Sequence, residues 1–94
     1  MKKEEIKAKA LEALADAKAK LQELQSKRSS ISADLREDFD QKMAAMKAKK
    51  DELEAKLDSM EDKAEEKWEE VKDVLGDSLR SFKEGFTHLG RLFD

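Results

Sequence analysis

The chain has 94 residues, of which 46% are charged and 38% hydrophobic, and its formal net charge is -3. A chain of this length forms one domain at most and has little apolar material for a globular core. It contains no cysteine and no proline, which excludes a disulfide framework and a thiolate metal site. The composition therefore predicts an all-α protein of long helices in a coiled-coil or helical-hairpin arrangement, without β-structure.

Charge is distributed unevenly along the chain. Residues 1–30 carry eight basic and five acidic side chains (+3), residues 31–70 carry eight and fourteen (-6), and residues 71–94 carry four of each. No segment is basic enough to follow a phosphate backbone, so we expect no nucleic-acid partner. The lysine-containing start lacks the apolar stretch of a secretory signal, and no apolar run approaches the roughly 20 residues of a membrane span. We therefore expect a cytoplasmic protein.

Apolar or small residues recur in alternating steps of three and four, which is the pattern of a coiled-coil seam. This stripe runs from Ile6 to Leu24, from Ile31 to Met46 and from Leu53 to Phe93. Inserted four-residue steps at residues 35–43, 64–68 and 75–79 act as stutters that relax the supercoil. Arg28 and Lys50 fall on the stripe, and we expect their stems to lie along it while their charges reach water.

The first helix is predicted over residues 3–28, followed by a turn at residues 29–32. In the segment "SKRSSISADL", Ser30 or Ser32 can cap a new helix, and acidic side chains follow in its first turns. A continuous helix is the alternative, because the segment contains neither glycine nor proline and the stripe stays roughly in register across it.

A long second helix is predicted over residues 32–92, continuous or slightly kinked at Gly76. A turn at Gly76 is the alternative and would give three helices. If the chain turns at residues 29–32, the basic first helix is expected to pack antiparallel on residues 33–57, because the connection is short and the charges are complementary.

The acidic segment "DSMEDKAEEKWEE" is interpreted as a solvated helix face and not as a metal site. The chain has one histidine, His88, which is distant in sequence from these carboxylates and lies off the apolar stripe. No serine has the histidine and carboxylate spacing that activates a nucleophile, and no glycine-rich phosphate loop is present. We therefore expect no catalytic residue, no metal and no cofactor.

The C-terminal segment carries the most pronounced apolar face and four of the five aromatic residues of the chain. The predicted partner-binding residues on this face are Trp68, Val71, Leu75, Leu79, Phe82, Phe86, Leu89 and Phe93. A hairpin leaves them without cover from their own chain, so we expect them to bind a second copy, giving a homo-oligomer, or another helical protein. Gly85 lies in the same arc and is expected to let another helix approach closely.

The alternative cover for this amphipathic helix, residues 68–93, is a lipid or membrane surface. Helices that lie in a membrane interface usually have a polar face rich in lysine and arginine. The polar charges here are balanced, which favours helix packing. The function predicted from the sequence is a non-catalytic coiled-coil interaction or assembly module.

The chain resembles a loose group of small bacterial coiled-coil proteins of unknown function. The resemblance begins at "LREDFDQKMAAMKAKK" and rests on Lys/Glu/Ala heptads followed by the motif Trp68-Glu69-Glu70-Val71-Lys72. It covers about half of the chain and implies a helical fold without a known activity. The C-terminal segment also resembles apolipoprotein-like amphipathic helices.

Overall fold

The computed structural model describes residues 2–93, which form three α-helices and no strand. The helices are α1 (Lys3–Ser26), α2 (Ala33–Met60) and α3 (Trp68–Arg91), and short 3₁₀ turns at Arg28–Ser30 and Glu65–Lys67 precede α2 and α3. Together they form an elongated bundle of 49 × 18 × 16 Å. The predicted all-α fold class is confirmed, with three helices where the favoured interpretation expected two.

The chain turns between α1 and α2 at residues 27–32, close to the turn predicted at residues 29–32. Ser32 occupies the N-cap position of α2 with extended backbone (φ -61°, ψ 149°), although its side chain forms no capping hydrogen bond. Its carbonyl accepts the N–H of Leu35 at 3.0 Å. The buried side chain of Ile31 anchors the turn against the core, so an apolar contact takes the place of the glycine or proline that such a turn often contains.

Ion pairs show that α1 and α2 are antiparallel. Three pairs join α1 and the turn after it to α2 and the turn after it: Lys7 with Glu61, Lys18 with Glu54 at 3.2 Å, and Arg28 with Asp40 at 2.8 Å. Because the residue number rises along α1 as it falls along α2, the first helix packs antiparallel on α2, as predicted. These pairs are largely exposed and contribute little to stability, so their main effect is on the alignment of the two helices.

The predicted long helix over residues 32–92 is wrong, because α2 ends at Met60 and the chain turns at residues 61–64. The N–H of Lys63 donates to the carbonyl of Met60 at 3.0 Å, and Ala64 is extended (φ -67°, ψ 158°). The alternative break at Gly76 is also wrong, since Gly76 lies inside α3. The chain therefore has three helices, but the second turn lies twelve residues before Gly76, at Ala64.

Charges around residues 61–64 explain why the helix ends there. Glu61 and Asp62 follow the last turn of α2, which contains no basic residue, whereas Glu69 and Glu70 lie in the first turn of α3. The helix dipole disfavours acidic groups at a C-terminus and favours them at an N-terminus. A turn here also lets α3 fold back on its own chain, and full burial of one large apolar side chain is worth about 1.5–3 kcal/mol. Helix α3 buries five apolar side chains, and together they outweigh a few lost helix hydrogen bonds at about 1 kcal/mol each.

Lys3 of α1 holds the second turn in place. Its Nζ donates to the carbonyls of Glu61 at 3.0 Å and Lys63 at 3.3 Å. The same ammonium lies 5.4 Å from the ring centroid of Trp68, and the backbone N–H of Lys3 donates to the carboxylate of Glu65 at 3.3 Å. Backbone groups that helix ends leave unpaired are thus satisfied by another segment. The start of α1 lies beside the start of α3, so these two helices run parallel.

The core lies along the bundle axis and receives side chains from all three helices. Its members are Ile6, Ala10, Ala13, Leu14, Ala17 and Leu24 of α1, Phe39, Met46, Leu53, Leu57 and Met60 of α2, and Trp68, Val71, Leu75, Phe82 and Leu89 of α3, with Ile31 from the first turn. Half of the α1 set is alanine, and small residues let this helix approach the other two closely. The large side chains come mainly from α2 and α3.

Three residues of the predicted stripe are exposed. Leu35 lies in the first turn of α2, Ala64 lies in the second turn of the chain, and Leu79 lies in the middle of α3. Leu35 and Ala64 lie near helix ends, where the spacing of apolar residues no longer indicates which face of the helix is buried. Leu79 follows the 75–79 stutter, and the stripe is displaced there towards the edge of the helix face.

Gly85 allows α2 and α3 to pack closely, as the sequence predicts. A methyl group at Gly85 would overlap the sulfur of Met46 and lie 2.9 Å from its terminal carbon. Met46 is buried, so its side chain lies directly on the backbone of α3. Gly76 and Gly90 differ, because a methyl group at either would meet nothing within 4 Å.

Alanine substitutions at the glycines of α3 should therefore have opposite effects on the free energy of unfolding. Gly76→Ala is expected to stabilise the protein by about 1 kcal/mol, since alanine is the better helix former and the position is open. Gly85→Ala is expected to destabilise it, because overpacking a core costs about 1–3 kcal/mol. Urea unfolding followed by circular dichroism measures both. Gly90→Ala is the control, and stabilisation by Gly85→Ala would contradict the close contact.

Replacing Lys3 tests its role at the second turn. Lys3→Met keeps most of the aliphatic stem but removes the two bonds to carbonyls and the cation–π contact. We expect a loss of about 1 kcal/mol in unfolding free energy and a shift of Trp68 fluorescence to longer wavelength. Lys9→Met is the matched control, because Lys9 is exposed on the same helix. Equal unfolding midpoints for the two variants would show that Lys3 does not hold the turn.

Candidate interaction surface

The predicted partner-binding residues lie mainly in the core of the same chain. Five of the eight are buried: Trp68, Val71, Leu75, Phe82 and Leu89. Phe86 and Phe93 are partly buried and pack against the core. Leu79, which is 47% exposed, is the one whose side chain remains largely accessible.

The expectation that this face has no cover from its own chain is wrong, because it followed from the long second helix. The ring of Phe93 meets Phe39 of α2 edge-on, with centroids 6.0 Å apart, and Phe82 lies 6.2 Å from Phe86. Such aromatic pairs add about 0.5–1.5 kcal/mol to the effect of burial. Seven of the eight predicted residues thus pack in or against the core of the bundle, and Leu79 is the one that is largely exposed.

Trp68 is the largest fully buried side chain and lies where α3 begins. Its indole Nε1 is buried and has no hydrogen-bond partner within residues 2–93. An unpaired buried donor costs about 1–3 kcal/mol, which the burial of the ring and the Lys3 ammonium over its face offset. The fold therefore uses the size and the electron-rich face of this ring, and not its hydrogen-bonding capacity.

A shallow groove of about 390 Å³ lies between α1 and α2, and we call it the α1–α2 groove. Its walls are Lys18, Leu21, Gln22 and Gln25 from α1 and Met43, Lys47 and Lys50 from α2, and an adjoining section adds Asp40 and Ala44. Leu21 and Met43 pack against the core but remain partly exposed. The groove is thus apolar along its floor and polar along both rims. The stripe indicated these apolar positions, but it did not indicate that they would stay accessible.

Lysines dominate the charge of this groove. The side chain of Lys50 is 13% exposed, and its Nζ reaches Asp51 at 2.8 Å. This agrees with the prediction that its stem lies along the stripe. Lys18 pairs with Glu54, and Lys47 forms no ion pair at contact distance within the described residues. The hydrogen bond to Asp51 raises the pKa of Lys50 and lowers that of Asp51.

Arg28 and Asp40 close one end of the groove. The guanidinium Nε and one terminal nitrogen each donate to one carboxylate oxygen at 2.8 Å, which is the two-point geometry that arginine favours. These hydrogen bonds, together with the charge of Arg28, hold the pKa of Asp40 below its usual value of 3.8. Asp40 is thus already satisfied and offers little negative charge to the groove.

His88 and the acidic segment contact charged side chains of neighbouring segments. Nε2 of His88 lies 3.4 Å from a carboxylate oxygen of Asp38, and both side chains are partly exposed. Residues 2–93 contain no group of three histidine, cysteine, aspartate or glutamate side chains placed to hold a metal ion. Glu61 pairs with Lys7, and Glu70 pairs with Lys56 at 3.5 Å. The acidic residues therefore contact lysines of neighbouring helices.

Comparisons with known proteins leave the chain without an assigned family. No protein-family model matches it, and no curated protein or solved structure matches it. The resemblance to small bacterial coiled-coil proteins stays a prediction. Within residues 2–93, no helix has both the length and the apolar character that crossing a membrane requires.

The Arg28–Asp40 pair predicts a pH effect of defined sign. Arg28→Gln should raise the pKa of Asp40 towards 3.8, its usual value. A carboxyl group whose pKa is lower in the folded state stabilises the fold above its unfolded-state pKa, and this stabilisation is lost as the pH falls through the folded-state pKa. The stability difference between the native protein and the variant should thus be present at neutral pH and vanish in acid.

Nuclear magnetic resonance titration of the side-chain carboxyl carbons measures this effect directly. Asp51 is the internal control, because Lys50 and not Arg28 lowers its pKa. Its titration should be unchanged in Arg28→Gln. A titration of Asp40 that is the same in the native protein and in the variant would show that the pair does not form in solution.

Proposed function

We propose that the protein is a non-catalytic interaction or assembly module that acts through helix–helix packing as a closed three-helix bundle. The observation that carries this proposal is the α1–α2 groove, where Leu21 and Met43 remain partly exposed although the α3 face is covered. Grooves between helices are common docking sites for a further helix. The partner is a second copy, which gives a homo-oligomer, or another helical protein.

The surface chemistry supports binding more than catalysis. The groove contains lysines and amides but no nucleophile beside a base, and the His88–Asp38 pair lies outside it. The proposal therefore assigns no catalytic residue, metal or cofactor. Nucleic acid is not proposed as a partner, because Lys18 and Lys50 of the groove are already paired with Glu54 and Asp51. The cytoplasmic location predicted from the sequence remains a prediction.

Lipid-surface binding by residues 68–93 is the second candidate. It is favoured by the apolar face of α3 and by the alanines Ala10, Ala13 and Ala17, which are half of the buried residues of α1. Small side chains bury little apolar area. This function requires the bundle to open, because Trp68 and Phe82 are buried while it is closed. The two candidates thus differ in the state of the bundle that binds.

Site-specific photo-crosslinking in cells tests the proposed function. A photoreactive phenylalanine derivative is placed singly at three exposed or partly exposed positions on different faces: Gln22, Lys42 and Asp77. We expect a discrete adduct with one protein, or with a second copy, from at least one position. The same position in a Phe82→Asp background is the control, because a charge in the core should unfold the bundle and abolish the adduct.

Vesicle binding distinguishes the lipid candidate. Lys56 and Glu70 face each other across α2 and α3, and the chain has no natural cysteine, so Lys56→Cys with Glu70→Cys can be joined by a short bismaleimide. We expect neither the linked nor the unlinked protein to sediment with vesicles that contain phosphatidylglycerol. The outcome that contradicts the proposal is no adduct at any position, together with vesicle binding that only the unlinked protein shows.

A further inference from the structure

We propose that the α1–α2 groove receives an acidic amphipathic helix, and this inference rests on the proposed function. The groove lies between two antiparallel helices, and both of its walls come from α1 and α2. A helix bound there would extend the three-helix bundle to four helices. Helices in such bundles pack about 8–10 Å apart, which the side chains at the contact determine.

The apolar floor fixes the kind of element that fits. Leu21 and Met43 are the large apolar side chains of the groove, and the stem of Lys50 lies beside them. A methionine side chain is flexible and can pack against different neighbours, which suits a surface that contacts water in the free protein and a partner helix in the complex. The walls extend over residues 18–25 of α1 and 40–50 of α2. At 1.5 Å per residue this corresponds to about 11–15 Å, so two to three turns of a partner helix are covered.

Charge fixes the chemistry of the partner. Lys18, Lys47 and Lys50 surround the floor. Lys18 and Lys50 pair with Glu54 and Asp51, and Asp40 of the lining pairs with Arg28. Lys47 forms no ion pair at contact distance within the described residues, so it supplies the positive charge that a partner can pair with. The amides Gln22 and Gln25 are neutral, so they favour neither an acidic nor a basic partner helix. A partner helix with acidic residues beside its apolar stripe would complement this rim, whereas one with lysines would be repelled.

The grooves on the other sides of the bundle lack one of these two properties. The groove between α2 and α3 has Lys42, Lys49 and Glu84 among its lining residues, but its apolar residues are Ala45, Gly85 and the buried Met46, so it lacks an accessible large apolar side chain. The depression near the start of α1 is lined almost wholly by charged side chains, Lys2, Glu5, Glu65, Glu66 and Glu69. Among these grooves, the α1–α2 groove combines accessible large apolar side chains with a lysine, Lys47, that forms no ion pair within the described residues.

Two synthetic peptides of about four turns probe this groove. Both have leucines at helical spacing and a lactam bridge that stabilises the helix, and they differ only in carrying glutamate or lysine beside the leucines. Each is titrated into the full ¹⁵N-labelled chain. We expect the glutamate peptide to bind about tenfold more tightly than the lysine peptide, with a smaller difference at high salt. The amide signals that shift should be those of Leu21, Gln25, Met43 and Lys47.

Charge reversal supplies a matched pair of variants. Lys47→Glu should invert the preference between the peptides, whereas Lys83→Glu, which makes the same change in net charge on α3, should leave it unchanged. Met43→Ser should weaken both peptides while circular dichroism shows an intact bundle. Equal binding of the two peptides, equal effects of the two charge reversals, or signal shifts outside the groove would each overturn the inference.

The outcomes separate this inference from the proposed function. If the glutamate peptide fails to bind but Lys42 or Asp77 gives a photo-crosslinked adduct, the protein is an interaction module that uses another face. If no position gives an adduct and no peptide binds, both proposals fail. If phosphatidylglycerol vesicles, and not the peptide, shift the signals of Leu21 and Met43, the groove binds lipid and the acidic-helix inference is wrong.

Discussion

The bundle depends on the turn at residues 61–64, because a helix that continued through it would carry the aromatic face of α3 away from α1. Acidic side chains make this place a poor continuation of α2 and a good beginning for α3. Lys3, from the other end of the sequence, then binds the carbonyls of Glu61 and Lys63 and covers Trp68. The acidic residues favour the end of the helix locally, and the contacts of Lys3 favour the same turn from a distant segment. The local and the long-range interactions thus support one structure.

The periodic stripe predicts most of the buried residues, including those of the second half of the chain. It predicts them because burial follows the spacing of apolar residues on a helix, whichever helix provides the cover. The position of the second turn was missed because residues 61–64 contain neither glycine nor proline. One signal was present, since the stripe has an irregular step from Ala64 to Trp68. A stutter in a continuous helix and a turn between two helices produce the same irregularity.

An apolar face has the same sequence pattern whether its own chain or another chain covers it. Phe82 and Leu89 lie on one apolar face, as predicted, and they are buried in the core that α3 shares with α1 and α2. The α1–α2 groove was missed because Leu21 and Met43 look like ordinary seam positions in the sequence. Leu21 and Met43 are accessible because α3 does not cover the sides of α1 and α2 on which they lie. Which sides α3 covers is determined by the packing of the whole bundle and not by the local spacing of apolar residues.

The contact between Met46 and Gly85 limits how α2 and α3 can slide along each other. A displacement by one helical turn, about 5.4 Å, would bring residue 81 or residue 89 opposite the methionine. These are Ser81 and Leu89, and each has a side chain where Gly85 has none. Apolar stripes alone tolerate such displacements, because one turn of a repeating pattern resembles the next. A single missing side chain therefore gives a nearly periodic pair of helices one preferred alignment.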